Sequence, residues 1–178
     1  MTNEAEIDAL AKKYAGKPID VLLNNAGWLG EASKQTLASL DYATFEEVLK
    51  VNTYAPLRIS QAFLPNVEAG EQKKIIVITS GLSSITNTTR GGGLYYYRAS
   101  KAGVNIVMRA LQSELKPKGI KVGIMAPGMV ETRLLQASGY GGHGLAPEVS
   151  VKNVIRNIDN LNDQDAKNIL YDGSVVPW

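Results

Sequence analysis

Residues 95–101 place a phenol and an ammonium group four residues apart, near the start of a stretch with helical character. Of the three consecutive tyrosines there, only Tyr97 has a lysine at i+4, which is Lys101. On a helix this spacing puts both side chains on one face, about 5–6 Å apart at Cβ, where the cation lowers the pKa of the phenol. A tyrosine tuned in this way donates or accepts a proton near neutral pH. The alternative is an ordinary surface pair, because this spacing is common.

Ser80 follows the apolar run at residues 75–78 and adds a hydroxyl donor to this pair. The three side chains together suit the handling of a carbonyl oxygen, because Ser80 can hold it, Tyr97 can protonate it and Lys101 can favour the phenolate. The chain has a single histidine, His143, which is far from Ser80 in the sequence. The pattern therefore does not indicate a hydrolase of the serine–histidine kind.

Asn52 is a polar residue on the apolar face of a predicted helix, shortly before Pro56. Pro56 should kink this helix, and a water molecule in the opened turn is a natural partner for Asn52. The alternative is an amide that only satisfies the hydrogen bonds of the bent backbone.

These residues lie within an alternation of amphipathic helices and short apolar runs. Helices are predicted at residues 3–14, 44–63, 94–116 and 147–161. A capping box of Thr44 and Glu47 should start the second helix, and Pro65 should end it. Buried strands are predicted at residues 19–23, 75–78, 120–126 and 168–171, with loops at 28–40, 83–93 and 136–146. This order predicts one α/β domain over residues 1–178, with a mostly parallel sheet.

Reactive groups in such sheets gather in the crevice outside the carboxyl ends of the strands. Polar or Gly-containing segments follow three of the predicted strands: residues 24–27 (Asn-Asn-Ala-Gly), Ser80, and the Pro127–Gly128 pair. The sequence therefore predicts that the candidate site lies at this edge of the sheet.

Composition excludes several classes of partner. The 19 basic and 17 acidic residues leave a formal charge of +2, with no basic stripe for nucleic acid. No cysteine and one histidine leave no thiolate or histidine metal site. The first ten residues lack an apolar signal core, and no apolar run approaches the roughly 18 residues of a membrane span. These features predict a cytoplasmic protein without nucleic-acid, membrane or metal partners.

Five motifs occur in the order in which the short-chain dehydrogenase/reductase family has them, and the sequence resembles that family. They are Asn24-Asn25-Ala26-Gly27, Val51-Asn52, Ser80, Tyr97-x-x-x-Lys101 and Pro127-Gly128-x-x-x-Thr132. The tail at residues 171–178 and the long segment between Ser80 and Tyr97 are most similar to the C-factor and sniffer-type carbonyl reductase branch.

The resemblance implies a three-layer Rossmann-like sheet and reversible hydride transfer between NAD or NADP and a small-molecule carbonyl or alcohol. By similarity, Tyr97 is the acid/base, and Lys101 binds the nicotinamide ribose and lowers the pKa of Tyr97. Ser80 orients the substrate oxygen, and Asn52 holds a proton-relay water. The cofactor-binding residues that it implies are Asn24, Ala26, Gly27, Tyr97, Lys101, Pro127, Gly128, Val130 and Thr132. Two roles are open for Met125 and Leu134, namely a wall of the substrate or cofactor pocket and packing in the core.

The sequence also departs from the family, whose members begin with a strand and a Gly-rich turn that binds the cofactor pyrophosphate. Only 23 residues precede Asn24, and they contain one predicted helix. Residues 139–144 do match G-x-G-x-x-G, but no strand precedes them and Pro147 follows closely, so we interpret them as a mobile loop. The fold is therefore expected to be N-terminally truncated, with about four strands. A truncated, non-catalytic relative that acts through binding or subunit association is the alternative to an enzyme.

Two expectations about surfaces follow. The predicted helix at residues 94–116 is apolar nearly all round, so it should be buried in the monomer or in a contact between subunits. Family members often pair this helix and the one after Thr44 across a two-fold axis, which implies a homodimer or homotetramer. Without a preceding strand, the strand at residues 19–23 should be an unprotected edge, and dinucleotide binding should be weak or absent.

Overall fold

A single parallel sheet organises the chain in the computed structural model, which describes residues 2–89, 92–162 and 166–178. Its strands pair in the order β1-β2-β3-β4, which is also their order along the chain. They are β1 (Val21–Asn24), β2 (Lys74–Ile78), β3 (Lys121–Ala126) and β4 (Asn168–Leu170). The predicted four-stranded α/β sheet is thus confirmed.

The helices are α1 (Glu4–Lys13), α2 (Tyr42–Leu49), α3 (Ala55–Ala62), α4 (Leu64–Glu68), α5 (Tyr95–Leu115), α6 (Arg133–Ala137) and α7 (Pro147–Asp159). Short 3-10 turns lie at Ala32–Lys34, Gly81–Ser83 and Lys116–Lys118. Two short helices, α4 and α6, were not predicted. The G-x-G-x-x-G match at residues 139–144 follows α6 and precedes α7, so it does not open a helix after a strand.

Alternate residues of β2 face two separate cores, which makes the fold three-layered. Ile75 and Val77 pack with Val104 and Met108 of α5 on one face. On the other face, Ile76 packs with side chains of α7 and with Met125 of β3. A continuous apolar strand is what burial on both faces requires. Met125 is fully buried, so it serves core packing, the second of the two roles open for it.

The helical region between residues 42 and 68 differs from the sequence prediction at its start, middle and end. The carboxylate of Asp41 accepts hydrogen bonds from the Ala43 and Thr44 backbone N–H groups, so Asp41 is the N-cap and the predicted capping box is wrong. Asp41 wins because its carboxylate is a strong cap one turn earlier. A π-helical turn at Lys50–Tyr54 replaces a simple kink. The helix then ends at Ala62, and Pro65 lies in the first turn of α4.

The surface expectations are confirmed for β1 and in part for α5. Strand β1 is an edge strand, and the side chain of Leu23 within it is 48% exposed. Helix α5 buries one face, whereas Ile106 on its other face is 66% exposed. The helix is therefore not buried all round within one chain. None of the helices described is long and apolar enough to span a membrane.

Candidate active site

The carboxyl ends of β1 and β2 and the first two turns of α5 bring the predicted catalytic residues together. A Cβ built on Gly27 would lie 3.2 Å from Nζ of Lys101 and 3.6 Å from Oδ1 of Asn52. The Lys101 ammonium donates a 2.8 Å hydrogen bond to the carbonyl oxygen of Ile78, the last residue of β2. Motifs that are far apart in the sequence thus meet at one edge of the sheet, as the fold class predicts.

Tyr97 is buried, and its phenol interacts with the hydroxyl of Ser80. Burial raises the pKa of Tyr97, because the phenolate loses hydration, and the interaction with the Ser80 hydroxyl lowers it by less. The phenol is therefore neutral at pH 7 and can donate a proton. Ser80 is also fixed in place, since its hydroxyl accepts a 3.1 Å hydrogen bond from the Leu82 backbone N–H.

Lys101 behaves differently from the sequence expectation. Its Nζ lies 5.7 Å from the ring centroid of Tyr97, but it is not among the groups that shift the pKa of that phenol. Burial instead lowers the pKa of Lys101 itself to about 8. The expectation of a lowered pKa at Tyr97 is thus wrong for the chain alone, because both groups are desolvated and the ammonium is turned toward Ile78.

Asn52 lies in the π-helical turn with its side chain fully buried and hydrogen-bonded to protein. It pairs with the backbone of Trp28 in both directions, accepting from the N–H at 2.8 Å and donating to the carbonyl at 2.7 Å. Its amide also donates to the Ser100 hydroxyl at 2.9 Å. The amide side chain therefore fastens the loop after β1 to α5. The α-helical donor to its backbone carbonyl, at i+4, would be Pro56, which has no N–H.

The residues implied for cofactor binding occupy different environments. Gly27 is exposed beside Lys101, and Ala26 is half-buried. Asn24, by contrast, is buried with its amide donating to the Ser60 hydroxyl at 3.3 Å. Its side chain therefore serves the packing of β1 against α3, and only its backbone is left for a ligand.

The segment after β3 is shaped by Gly128, Val130 and Thr132. Gly128 has φ +81°, and a Cβ on it would lie 2.9 Å from the Tyr171 ring, so this turn requires glycine. Pro127 before it accepts a hydrogen bond from the Ser150 hydroxyl at 2.7 Å. Val130 forms a bridge with Leu145. Thr132 caps α6 through its hydroxyl and is exposed, and Leu134 within α6 is half-buried.

The structure also shows two functional candidates that sequence reasoning missed. The Ser100 hydroxyl donates to the Tyr97 carbonyl at 2.8 Å, a contact that the i+3 spacing of a helical serine could have indicated. Gln35 contacts the start of α5 from a distant loop, and no pattern in the sequence points to it. Within the described ranges, no group of three or more acidic, histidine or cysteine residues could hold a metal ion.

Comparisons with known proteins relate the chain to one family. A family model described as short chain dehydrogenase matches residues 1–140. C-signal of Myxococcus xanthus is 34% identical over 171 residues, which cover 96% of this chain and 99% of that protein. A Rhodococcus 1-hydroxy-2-glutathionyl-2-methyl-3-butene dehydrogenase is 32% identical over 183 residues, covering 100% of this chain and 77% of that enzyme.

Two solved structures share the fold over nearly the whole chain. NADPH-bound carbonyl reductase from chicken fatty liver superposes with a TM-score of 0.88 at 29% identity, covering 99% of this chain and 74% of that one. The carbonyl reductase Sniffer of D. melanogaster has a TM-score of 0.86 at 26% identity, covering 99% and 75%. The chain thus spans about three quarters of these reductases and almost all of C-signal.

Proposed function

The chain belongs to the short-chain dehydrogenase/reductase family, and we propose that it reduces a small-molecule carbonyl, or oxidises the corresponding alcohol, with NAD or NADP. The observation that carries this proposal is the neutral, buried phenol of Tyr97, which interacts with the Ser80 hydroxyl and lies one helical turn from Lys101. This arrangement suits protonation of a carbonyl oxygen, because a donor and an orienting hydroxyl meet at one point.

Each catalytic side chain has one task in this proposal. Ser80 donates a hydrogen bond to the substrate oxygen and holds it against the Tyr97 phenol. Tyr97 gives its proton to that oxygen during reduction and takes it back during oxidation. Lys101, with a pKa of about 8, carries a charge at neutral pH and binds the ribose hydroxyls of the cofactor.

A nicotinamide cofactor supplies or accepts the hydride when it is bound, and the residues present fit one half of it. Gly27 leaves open the space that a Cβ would fill next to the Lys101 ammonium, so sugar hydroxyls can approach that cation. We assign the carboxamide end to Pro127, Gly128, Val130 and Thr132, and the ribose end to Asn24, Ala26, Gly27, Tyr97 and Lys101.

The phosphate half has no comparable partner in the described residues. Residues 2–20 contain α1 and no Gly-rich turn between a strand and a helix. We therefore expect cofactor binding by these 178 residues to be weak. A relay water is assigned to the backbone carbonyl of Asn52, whose α-helical donor position is occupied by Pro56.

Calorimetric titration with NADH and NADPH, followed by carbonyl-reductase assays, tests the proposal. Turnover should be measurable, and Tyr97→Phe should lower it by about a hundredfold or more, the usual scale for a general acid. A phenylalanine variant with nearly the original rate would refute the assignment. Micromolar cofactor binding would show that another part of the assembly binds the phosphate half.

A non-catalytic role in binding or association is the second candidate, and the open edge of β1 favours it. Among the described residues, no strand pairs with the outer side of β1, and Leu23 within this strand is 48% exposed. A folded chain without turnover at saturating cofactor would favour this candidate over the enzyme.

We also propose that the chain forms a homodimer or homotetramer. The contact would use α5 and α3, which is the last part of the helix predicted at residues 44–63. Ile106 on α5 is 66% exposed and Leu57 on α3 is 40% exposed, while Tyr54 in the adjoining π-helical turn is 58% exposed. Apolar side chains on neighbouring elements are a suitable surface for a two-fold contact.

A further inference from the structure

Gln35, in the loop between β1 and α2, lies at the N-terminus of the helix that carries Tyr97. Its Oε1 accepts hydrogen bonds from the backbone N–H groups of Tyr96 and Tyr97, both at 3.1 Å. Its Nε2 donates to the carbonyl of Leu29 at 2.7 Å. The side chain is fully buried, so these contacts are shielded from water.

Helix α5 needs this cap from outside because its own N-cap residue provides none. Leu94 precedes the helix in the left-handed conformation, with φ 51°, and its apolar side chain cannot accept a hydrogen bond. The first backbone N–H groups of a helix have no partner within the helix, and an uncapped first turn frays. Tyr97 lies in that first turn, whereas Lys101 lies one turn further in.

The backbone of Tyr97 is held from both sides. Gln35 accepts from its N–H group, and the Ser100 hydroxyl donates to its carbonyl at 2.8 Å. Ser100 in turn accepts from Asn52, which is paired with the Trp28 backbone next to Leu29. Hydrogen bonds thus connect the loop after β1 to both the N–H group and the carbonyl of Tyr97.

We infer that Gln35 is a positioning residue, which holds the first turn of α5 so that the Tyr97 phenol stays beside the Ser80 hydroxyl. This inference rests on the proposed role of Tyr97. Gln35 bonds to the backbone of Tyr97 and not to that of Lys101, and Tyr97 is only one of the residues assigned to the cofactor. Loss of Gln35 should therefore lower kcat by a larger factor than it raises the KM for the cofactor.

Three variants test this. Gln35→Leu removes the acceptor and should lower kcat at least tenfold, with a smaller rise in the cofactor KM. Gln35→Glu keeps an oxygen acceptor for both N–H groups but loses the Nε2 donor to the Leu29 carbonyl, so its kcat should lie between those of the wild type and Gln35→Leu. Tyr96→Phe is the matched control, since it removes the phenol that accepts from the Asp41 N–H in the same loop but leaves the Tyr97 backbone untouched. The kcat of Tyr96→Phe should stay within about threefold of the wild-type value.

Two measurements need neither turnover nor cofactor. In the wild-type chain, amide hydrogen exchange at Tyr96 and Tyr97 should be slow, although such first-turn amides normally exchange fast. In Gln35→Leu it should accelerate at least tenfold, while Arg98, which bonds to the Leu94 carbonyl, stays protected. The Cζ chemical shift of Tyr97, which reports its phenol hydrogen bond, should move in Gln35→Leu and not in Tyr96→Phe.

The outcomes separate the two proposals. A wild-type chain without turnover counts against the proposed function, and the exchange and chemical-shift data then decide the role of Gln35. Fast exchange at Tyr97 in the wild type, an unmoved Cζ shift in Gln35→Leu, or equal losses of kcat in Gln35→Leu and Tyr96→Phe would each overturn the inference. The wild-type exchange measurement stands even where a variant fails to fold.

Discussion

The ammonium of Lys101 donates its hydrogen bond to the carbonyl of Ile78, a neutral backbone group, and not to a carboxylate. None of the ion pairs among the described residues involves Lys101, and its side chain is 3% exposed. Burial of a cation with a single neutral partner is unfavourable, which is why its pKa falls from 10.5 to about 8. The residue thus destabilises the fold that positions it.

Lys101→Met should stabilise the chain at neutral pH. The folded pKa lies below the unfolded one, so the unfolded chain binds more protons between pH 8 and 10.5, and wild-type stability rises with pH across this window. The burial cost is about 3 kcal/mol at pH 7 and about 1 kcal/mol at pH 10. Allowing about 1 kcal/mol for the lost hydrogen bond, the variant should gain about 2 kcal/mol at pH 7 and almost nothing at pH 10.

Urea denaturation of both proteins at several pH values measures this difference. A gain that is the same at pH 7 and pH 10 would show that it does not come from the charge of Lys101. The same variant should lose turnover, which would make Lys101 a residue kept for function at the expense of stability.

Local patterns were sufficient to predict the sheet and to predict that Gly27, Tyr97 and Lys101 lie at one edge of it. The strands are apolar runs, and parallel strands with helical crossovers have their carboxyl ends at one edge. The i+4 spacing of Tyr97 and Lys101 is also a local property. Burial is not local, and for that reason the direction of the pKa shift at Tyr97 was predicted wrongly.

Contacts between distant segments could not be predicted from local patterns in the sequence. Gln35 caps a helix that starts 60 residues later, and its loop has no periodic pattern that would place it there. The pattern S/T-x-x-E placed the start of α2 at Thr44, whereas the structure has its N-cap three residues earlier, at Asp41. Pro56 predicted a distortion, but whether it is a kink or a π-helical turn depends on the packing of Asn52 against Trp28.

Gly27→Ala should disturb the site. The added methyl group would lie 3.2 Å from Nζ of Lys101, so the ammonium has to move or the loop has to shift. We expect a loss of about 1–2 kcal/mol in the free energy of unfolding, the usual cost of overpacking, together with weaker cofactor binding.

Gly141→Ala is the matched control for this substitution, because nothing lies within 4 Å of its Cβ position. It should change stability by less than about 0.5 kcal/mol. Equal effects of the two substitutions would mean that the space beside Lys101 has no special role.

Lys74 is a second buried lysine and, unlike Lys101, it should stabilise the fold. Its Nζ donates to the carbonyls of Ile158 and Asp159 at 2.8 and 3.1 Å, at the C-terminus of α7. A cation there adds hydrogen bonds to carbonyls at the end of the helix and interacts favourably with the helix dipole. Lys74→Met should therefore lower the free energy of unfolding by about 2–3 kcal/mol. Lys152→Met, on the exposed side of the same helix, should lie within about 0.5 kcal/mol of wild type in the same urea titration.

Ile106→Glu tests association through α5. Ile106 is 66% exposed and borders a groove of about 330 Å³ that Ile85, Arg109 and Trp178 also line. If a two-fold axis brings two copies of α5 together, the substitution places two carboxylates in one desolvated contact, which should weaken the dimer by at least about a hundredfold. Light scattering at micromolar concentration should show a dimer or tetramer for the wild type and a monomer for the variant.

Val151→Glu provides the control for association, since Val151 is 54% exposed on α7, across the sheet from α5. A charge there lies outside the proposed contact and should leave the oligomer intact. A monomeric wild type would refute the association proposal. Loss of the oligomer in Val151→Glu but not in Ile106→Glu would place the contact on the α7 layer, because only the interface that is used in solution is sensitive to a buried carboxylate.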